Sequence, residues 1–182
     1  MGTRAHCWIL GMSLALVAGS AFAQEAAPAK SAEILSPAIQ EAMKKAVQDL
    51  KPGTSVIDRI INLQDIGRYN VALAVVTRPA GTFQNSLSHD KITEIYYVLR
   101  GTGTQVTGTM VNGTRSQNVS TTIGPGMSSN SPIQNAKATK LGPGDVQIIP
   151  PGVAHGFTSI DAGGIDYLVF RVDPDHLLAV SK

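Results

Sequence analysis

The sequence predicts an all-β domain, an antiparallel sandwich or barrel, with one helix near its N-terminus. Short apolar runs rich in β-branched residues recur from residue 67 onward, glycine and proline separate them, and one stretch of helical periodicity precedes them. The runs lie at 69–77, 94–99, 103–111, 146–149, 155–160 and 166–172. Many short strands with turn signals between them are typical of β-sandwiches and barrels.

The first 23 residues have the features of a signal peptide. Arg4 supplies positive charge, residues 7–17 are mostly apolar, and Ala-Phe-Ala at 21–23 fits a small-x-small cleavage site. The apolar stretch is short for a membrane span. We therefore expect cleavage before Gln24 and a periplasmic or secreted protein that is free of the membrane afterwards.

Composition argues against one class of partner and against one class of metal site. The chain has 182 residues, 43% of them hydrophobic, and 15 basic residues against 13 acidic ones. No cluster of lysine and arginine stands out, so we expect no nucleic-acid partner, because phosphate binding needs clustered positive charge. The one cysteine, Cys7, lies in the leader, so the mature chain offers no thiol for a disulfide or a metal.

Residues 24–66 are predicted to form an N-terminal tail followed by a helix. Ser36 and Pro37 are typical of a helix start. The apolar residues that follow on one helical face are Ile39, Met43, Ala46, Val47 and Leu50. We interpret this helix as a cover that packs on one side of a sheet.

The β-domain is predicted over residues 67–175, with a C-terminal tail at 176–182. Within it, residues 112–137 are rich in Ser, Asn, Gly and Thr and poor in large apolar side chains. We interpret them as a loop insertion between two strands. A plain surface loop and a lid over a site are both open interpretations.

Two histidines and one glutamate are the candidate metal ligands. His89 and Glu94 flank a predicted hairpin turn, and His155 begins a later strand after the rigid turn at 150–152. Residues that flank a short turn can face the same side of a hairpin. Imidazole and carboxylate donors suit a divalent ion such as Fe, Mn, Ni or Zn, so these side chains would form a small metal pocket if they converge.

Strand alternation suggests which side chains would line that pocket. Glu94 and Tyr96 share one strand face, and His155 and Phe157 share a face of the later strand. Tyr96 is the candidate catalytic residue, as a hydrogen-bond donor to a bound oxygen or as an acid or base. The alternative is a packed wall residue whose hydroxyl is satisfied by the protein.

Two spaced patterns carry a resemblance to a known family. They are Gly81, Leu87, His89, Glu94 and Gly101, followed by Gly144, Pro150, Gly152, His155 and Ser159. The first resembles motif one of the cupin superfamily: Gly, five residues, His-x-His, a short gap, Glu, six residues, Gly. The second resembles motif two: Gly, five residues, Pro-x-Gly, two residues, His, three residues, Asn. The chain departs from these motifs at Leu87, where the first His is expected, and at Ser159, which replaces Asn.

The cupin resemblance implies a double-stranded β-helix, a jelly-roll barrel, in which His89, Glu94 and His155 bind one metal and Leu87 lines the pocket. It also implies an oxygenase, isomerase or lyase that acts on a small molecule, and a homodimer. Leucine has no donor atom, so a second hypothesis stays open: a non-catalytic periplasmic cupin that binds a small molecule and has lost its metal.

Overall fold

The structure, a computed structural model, describes residue 2, residues 31–116 and residues 121–181. Apart from residue 2, the predicted signal peptide at 1–23 lies outside this part of the chain. The described elements are α1 (Ser36–Gln48), β1 (Ile57–Asp65), β2 (Asn70–Arg78), β3 (Gly81–Thr82), β4 (Ser86–His89), β5 (Thr93–Thr109), β6 (Thr114–Arg115), β7 (Gly126–Ser129), β8 (Gln134–Leu141), β9 (Val146–Ile149) and β10 (Ala154–Asp173). No helix among the described residues is long and apolar enough to cross a membrane.

The long strands β5 and β10 form the centre of the barrel. They pair antiparallel along most of their length, and β10 also pairs with β2, β3 and β4, while β5 pairs with β8 and β9. The inward side chains of these strands form the main apolar core, which includes Val98, Phe157, Tyr167 and Val169. The structure confirms the predicted all-β fold class.

β5 and β10 change register at a bend where Gly101 pairs with Ile165 and lies close to Gly164. Both glycines have positive φ angles, +76° and +78°, a region that side chains disfavour. A Cβ atom on Gly101 would overlap the carbonyl oxygen of Gly164. The bend therefore depends on glycine at position 101, where a side chain would meet the backbone of the neighbouring strand.

Helix α1 packs on the outer face of the sheet, in agreement with its interpretation as a cover. Ala46 is fully buried in a small outer cluster with Leu73, Val75 and Leu168. Val47, predicted on the same helical face, is 41% exposed. Leu35, and not Ser36, occupies the N-cap position, and no side chain caps the helix.

The barrel begins earlier than predicted. β1 (Ile57–Asp65) lies inside 24–66, which was predicted as tail and helix only, and it pairs antiparallel with β2. Its alternation is obscured by a register shift between Ile60 and Asn62 and by Asp58, whose carboxylate binds Arg171. A charged side chain that points inward removes the signal by which an apolar strand is recognised.

The segment 112–137 is not a plain loop insertion. It contains β6, β7 and the first residues of β8, and β7 pairs with β4 along its whole length. The sequence of β7 is Gly-Met-Ser-Ser, so the strand has one large apolar residue among small ones and shows no apolar alternation from which it could be recognised. The C-terminal segment 176–182 contains no strand in its described residues, but Leu178 is buried against the barrel.

Candidate metal centre

The three predicted ligands converge inside the barrel. His89 is the last residue of β4, while Glu94 and His155 lie near the starts of β5 and β10. All three side chains are buried, and the Nε2 atoms of both histidines lie 3.3 Å from Oε2 of Glu94. One donor atom from each residue lies within 4.8 Å of the other two.

Local backbone contacts bring the two motifs together. Leu87 of β4 is the cross-strand neighbour of His155, and the amide of Gly152 donates a hydrogen bond to the carbonyl of His89 at 2.8 Å. The positive φ of Gly152, +78°, lets the turn reach β4. The motif glycine therefore serves the site by placing the His155 strand beside the His89 strand.

Backbone carbonyls fix the orientation of both imidazole rings. Nδ1 of His89 lies 2.9 Å from the carbonyl oxygen of Ile123, and Nδ1 of His155 lies 3.0 Å from that of Val153. A carbonyl oxygen only accepts, so each neutral ring carries its proton on Nδ1. Each Nε2 lone pair then faces Glu94, and both Nε2 atoms are buried without a hydrogen-bond partner in the described part of the chain.

This donor set fits a divalent metal ion. Ligand atoms about 2.1 Å from a common first-row ion lie about 3.0 to 3.4 Å apart, in agreement with the two 3.3 Å separations. Buried polar atoms are costly unless they have a partner, and an ion among these three atoms would satisfy both imidazoles. A hydrogen-bonded Nδ1 behind a ligating Nε2 is also the usual arrangement of metal-binding histidine.

Arg171 holds the other side of the Glu94 carboxylate. It is 1% exposed, and its Nε donates to Oε1 of Glu94 at 2.7 Å. Its two terminal nitrogens donate to the carboxylate of Asp58 at 3.0 and 2.6 Å. Burial alone would raise the pKa of Glu94, but the charge of Arg171 holds that pKa well below its usual range. Glu94 is therefore an ionised carboxylate with Oε2 directed at the histidines.

The predicted pocket-lining residues occupy two adjoining cavities. Leu87 and Tyr96 line the cavity of the metal centre, and Phe157 lines the adjoining one. The Tyr96 hydroxyl donates to Oε2 of Glu94 at 2.9 Å. Burial and the Glu94 charge raise the pKa of Tyr96 well above its usual value, so the phenol is a hydrogen-bond donor at neutral pH. A catalytic role for Tyr96 stays a prediction.

Sequence reasoning missed several polar residues that line the cavity. They are Asp58, Arg78, Tyr167 and Arg171. Arg78 donates from Nε to the Tyr167 hydroxyl at 2.9 Å, and its guanidinium carbon lies 5.7 Å from the centroid of the Phe157 ring. The alternation of side chains along β2 and β10 would have predicted that both arginines point inward. Arg78 is in phase with the buried residues Ala74 and Val76 of β2, and Arg171 with Tyr167 and Val169 of β10.

The fold and the buried His-Glu-His group define a cupin. The family model described as Cupin matches residues 62–180, and the chain belongs to this family. A comparison with curated proteins finds no match.

Several solved structures are similar to the chain. KdgF from Halomonas sp. is 15% identical, with a TM-score of 0.41 over 70% of this chain and 85% of that one. Oxalate decarboxylase from Bacillus subtilis is 15% identical, with a TM-score of 0.42 over 65% of this chain and 25% of that one. The DMSP lyase DddQ from Ruegeria pomeroyi is 23% identical, with a TM-score of 0.39 over 60% of this chain and 41% of that one. The chain thus spans most of KdgF, but less than half of the other two.

Proposed function

We propose that this cupin holds one divalent metal ion at His89, Glu94 and His155 and uses it to transform a small molecule by oxygenase, isomerase or lyase chemistry. The observation that supports the proposal is the pair of buried Nε2 atoms, both 3.3 Å from one ionised carboxylate oxygen. When bound, the ion supplies Lewis acidity toward a carbonyl or enol oxygen, or a site for dioxygen. Fe, Mn, Ni and Zn all suit this donor set.

The surrounding residues prepare the pocket for an oxygen ligand. Two acidic side chains, Asp58 and Glu94, offset two arginines, Arg78 and Arg171, among the residues that line the cavity. A divalent ion therefore makes the pocket net positive, which favours an anionic or enolic oxygen. Leu87 offers no ligand atom, so it leaves a coordination position to the small molecule.

Elemental analysis of untagged mature protein tests the metal claim. We expect about one equivalent of metal per chain, as three convergent donors form one site. The double variant His89→Ala, His155→Ala should lose it. His176→Ala is the matched control, because His176 is exposed and lies outside the site. Equal metal contents in the double variant and the wild type would contradict the proposal.

The pairing of Glu94 with Arg171, beside Leu87, which has no donor atom, favours a second function: small-molecule binding without a metal. The pairing leaves Glu94 only Oε2 for an ion, and this oxygen also accepts a hydrogen bond from the Tyr96 hydroxyl. With the two histidines it completes a set of three ligands where cupin motifs offer four. In this second function the barrel binds a small molecule through its arginines and does no chemistry. Protein stripped with a chelator would then bind its ligand as tightly as metal-loaded protein.

We also propose that the chain is exported and cleaved before Gln24. Expression in a host with a periplasm, followed by intact mass measurement, tests this. A mass that begins at Gln24 supports export, and a mass that retains residues 1–23 contradicts it.

We propose that the chain forms a homodimer, as its resemblance to cupins implies. Tyr97, Val146 and Ile148 are exposed on the outer face of β5 and β9, where a second copy would cover them. Sedimentation velocity at micromolar concentration distinguishes a dimer from a monomer.

A further inference from the structure

The two histidine ligands are oriented by carbonyls from different parts of the chain. Nδ1 of His155 lies beside the carbonyl of Val153, two residues earlier in the same motif. Nδ1 of His89 lies beside the carbonyl of Ile123, which is 34 residues further along the chain. The orientation of His155 is therefore set locally, whereas that of His89 depends on where residues 121–125 are held.

The carbonyl of Ile123 decides which nitrogen of His89 can face an ion. With this carbonyl as acceptor, the neutral ring keeps its proton on Nδ1 and presents the lone pair of Nε2 to Glu94. Without it, the proton is free to move to Nε2, the atom that would bind the metal. Removal of such a group behind a metal-binding histidine typically lowers metal affinity by roughly 10- to 100-fold.

The C-terminal segment, residues 177–181, contacts the residues that carry this carbonyl. The amide of Ala179 donates a hydrogen bond to the carbonyl of Thr121 at 2.8 Å. A Cβ atom added to Gly124 would lie 4.0 Å from Cδ1 of Leu177. The C-terminal segment therefore contacts the chain on both sides of Ile123.

Two further contacts fix the C-terminal segment on the barrel. Leu178 is 4% exposed in the main core, and its amide donates to the carboxylate of Asp173 at 2.9 Å. Ser181 and Ile60 of β1 share two hydrogen bonds, one from each amide, both at 3.0 Å. Ala179 thus lies between two anchored positions, so its hydrogen bond to Thr121 joins residues 121–125 to the barrel.

We propose that the C-terminal segment is a positioning element for the metal centre. Through Thr121 it holds the carbonyl of Ile123 against His89, and in this way it sets the affinity for the ion. None of its residues lines the metal cavity, so it acts only through the backbone of residues 121–123. The inference rests on the proposed function, because it requires a metal at His89.

The variant Ala179→Pro tests the proposal, because proline has no amide hydrogen to donate to Thr121. We expect its affinity for Zn²⁺ to fall about tenfold or more, measured on the mature chain by competition with a chelating dye. Ala179→Gly keeps the amide and is the matched control, whose affinity should equal that of the wild type. Equal affinities in Ala179→Pro and Ala179→Gly would overturn the proposal.

Long-range proton–nitrogen NMR spectra of the metal-free protein give a readout that a general loss of stability would not move. These spectra report which ring nitrogen carries the proton. In the wild type, His89 and His155 should both be protonated at Nδ1. In Ala179→Pro, the proton of His89 should move in part to Nε2, while His155 stays unchanged because the carbonyl of Val153 lies in its own motif. An unchanged His89 would contradict the positioning role.

Hydrogen exchange of the wild type decides the question if Ala179→Pro does not fold. Coupling between two sites is reciprocal, so a segment that strengthens Zn²⁺ binding must itself be held more firmly when Zn²⁺ is bound. Saturating Zn²⁺ should slow exchange of the Ala179 amide about tenfold. The amide of Thr54, which donates to the carbonyl of Lys51 in the turn after α1, is the control and should keep its rate. Equal rates at Ala179 with and without Zn²⁺ would overturn the proposal.

Metal analysis separates the failure of the two proposals. If the wild type binds no Zn²⁺, the proposed function fails, and the NMR spectra still decide whether the C-terminal segment orients His89. If the wild type and Ala179→Pro bind Zn²⁺ equally and His89 is protonated at Nδ1 in both, the metal centre stands. The C-terminal segment then only stabilises the fold.

Discussion

Arg171 joins the buried Glu94 carboxylate and the partly buried Asp58 carboxylate, which would otherwise repel each other inside the barrel. Glu94 is its cross-strand neighbour, and Asp58 receives two hydrogen bonds from its terminal nitrogens. An arginine fork suits this task because it binds one carboxylate with two nitrogens and has a third for the other. The residue therefore keeps Glu94 ionised and in place before any ligand arrives.

Arg171→Met should lower the free energy of unfolding by about 3 to 5 kcal/mol, because it leaves the buried Glu94 carboxylate and the partly buried Asp58 carboxylate without a positive partner. Urea unfolding followed by far-UV circular dichroism measures the loss. Lys140→Met is the control: its pair with Asp161 is about half exposed, so water screens it and its loss should change the free energy of unfolding far less. Similar losses in the two variants would contradict the role of Arg171.

Leu87 occupies the position of the missing motif histidine, beside the ligands. It lines the cavity and is the cross-strand neighbour of His155, so a side chain here faces the same side as His155. Leu87→His should raise Zn²⁺ affinity about tenfold or more by adding an imidazole donor. Competition with a chelating dye measures the change.

Leu99→His is the control for this substitution, because Leu99 is 38% exposed and lies outside the metal cavity. It should leave the affinity unchanged. An unchanged affinity in Leu87→His as well would mean that position 87 cannot reach the ion.

At the scale of elements, the strands with apolar, β-branched runs could be predicted and the others could not. β2, β5 and β10 contain such runs, and the start of β5 also alternates between buried and less buried residues. β1 combines a bulge with an inward aspartate, and β7 is short, with Met127 as its one large apolar residue. In both, pairing with a distant strand decides the structure, and no local pattern encodes it.

The paired bend of β5 and β10 should tolerate no side chain at Gly101. Gly101→Ala is expected to lower the free energy of unfolding by about 3 kcal/mol or more, because strain at positive φ adds to an overlap with the Gly164 backbone. Gly144→Ala is the matched control, with a φ of +86° but no atom within 4 Å of its added Cβ. It should cost about 1 kcal/mol. Equal losses in urea unfolding would show that the close approach is unimportant.

At the scale of the whole molecule, the metal ligands were predictable, whereas alternation predicts only that the two arginines point inward and not which groups they meet. His89, Glu94 and His155 follow from two local spacings, each within one motif. The positions of Asp58 and Arg78 depend on how β1 and β2 align with β10, strands that are far apart in the chain. Long-range register thus decides which charged groups meet at the site, and no local pattern of the sequence encodes those pairings.

The donors come from β4, β5 and β10, so the centre exists only in the folded barrel, and metal should stabilise folding. Zn²⁺ or Mn²⁺ at 100 times its dissociation constant should add about 2.7 kcal/mol, a rise in melting temperature of roughly 5 to 10 °C for a domain of this size. His176→Ala should show the same rise. The double variant His89→Ala, His155→Ala should show none, because the remaining Glu94 carboxylate is already paired with Arg171. Equal rises in the wild type and the double variant would mean that the ion binds elsewhere on the barrel.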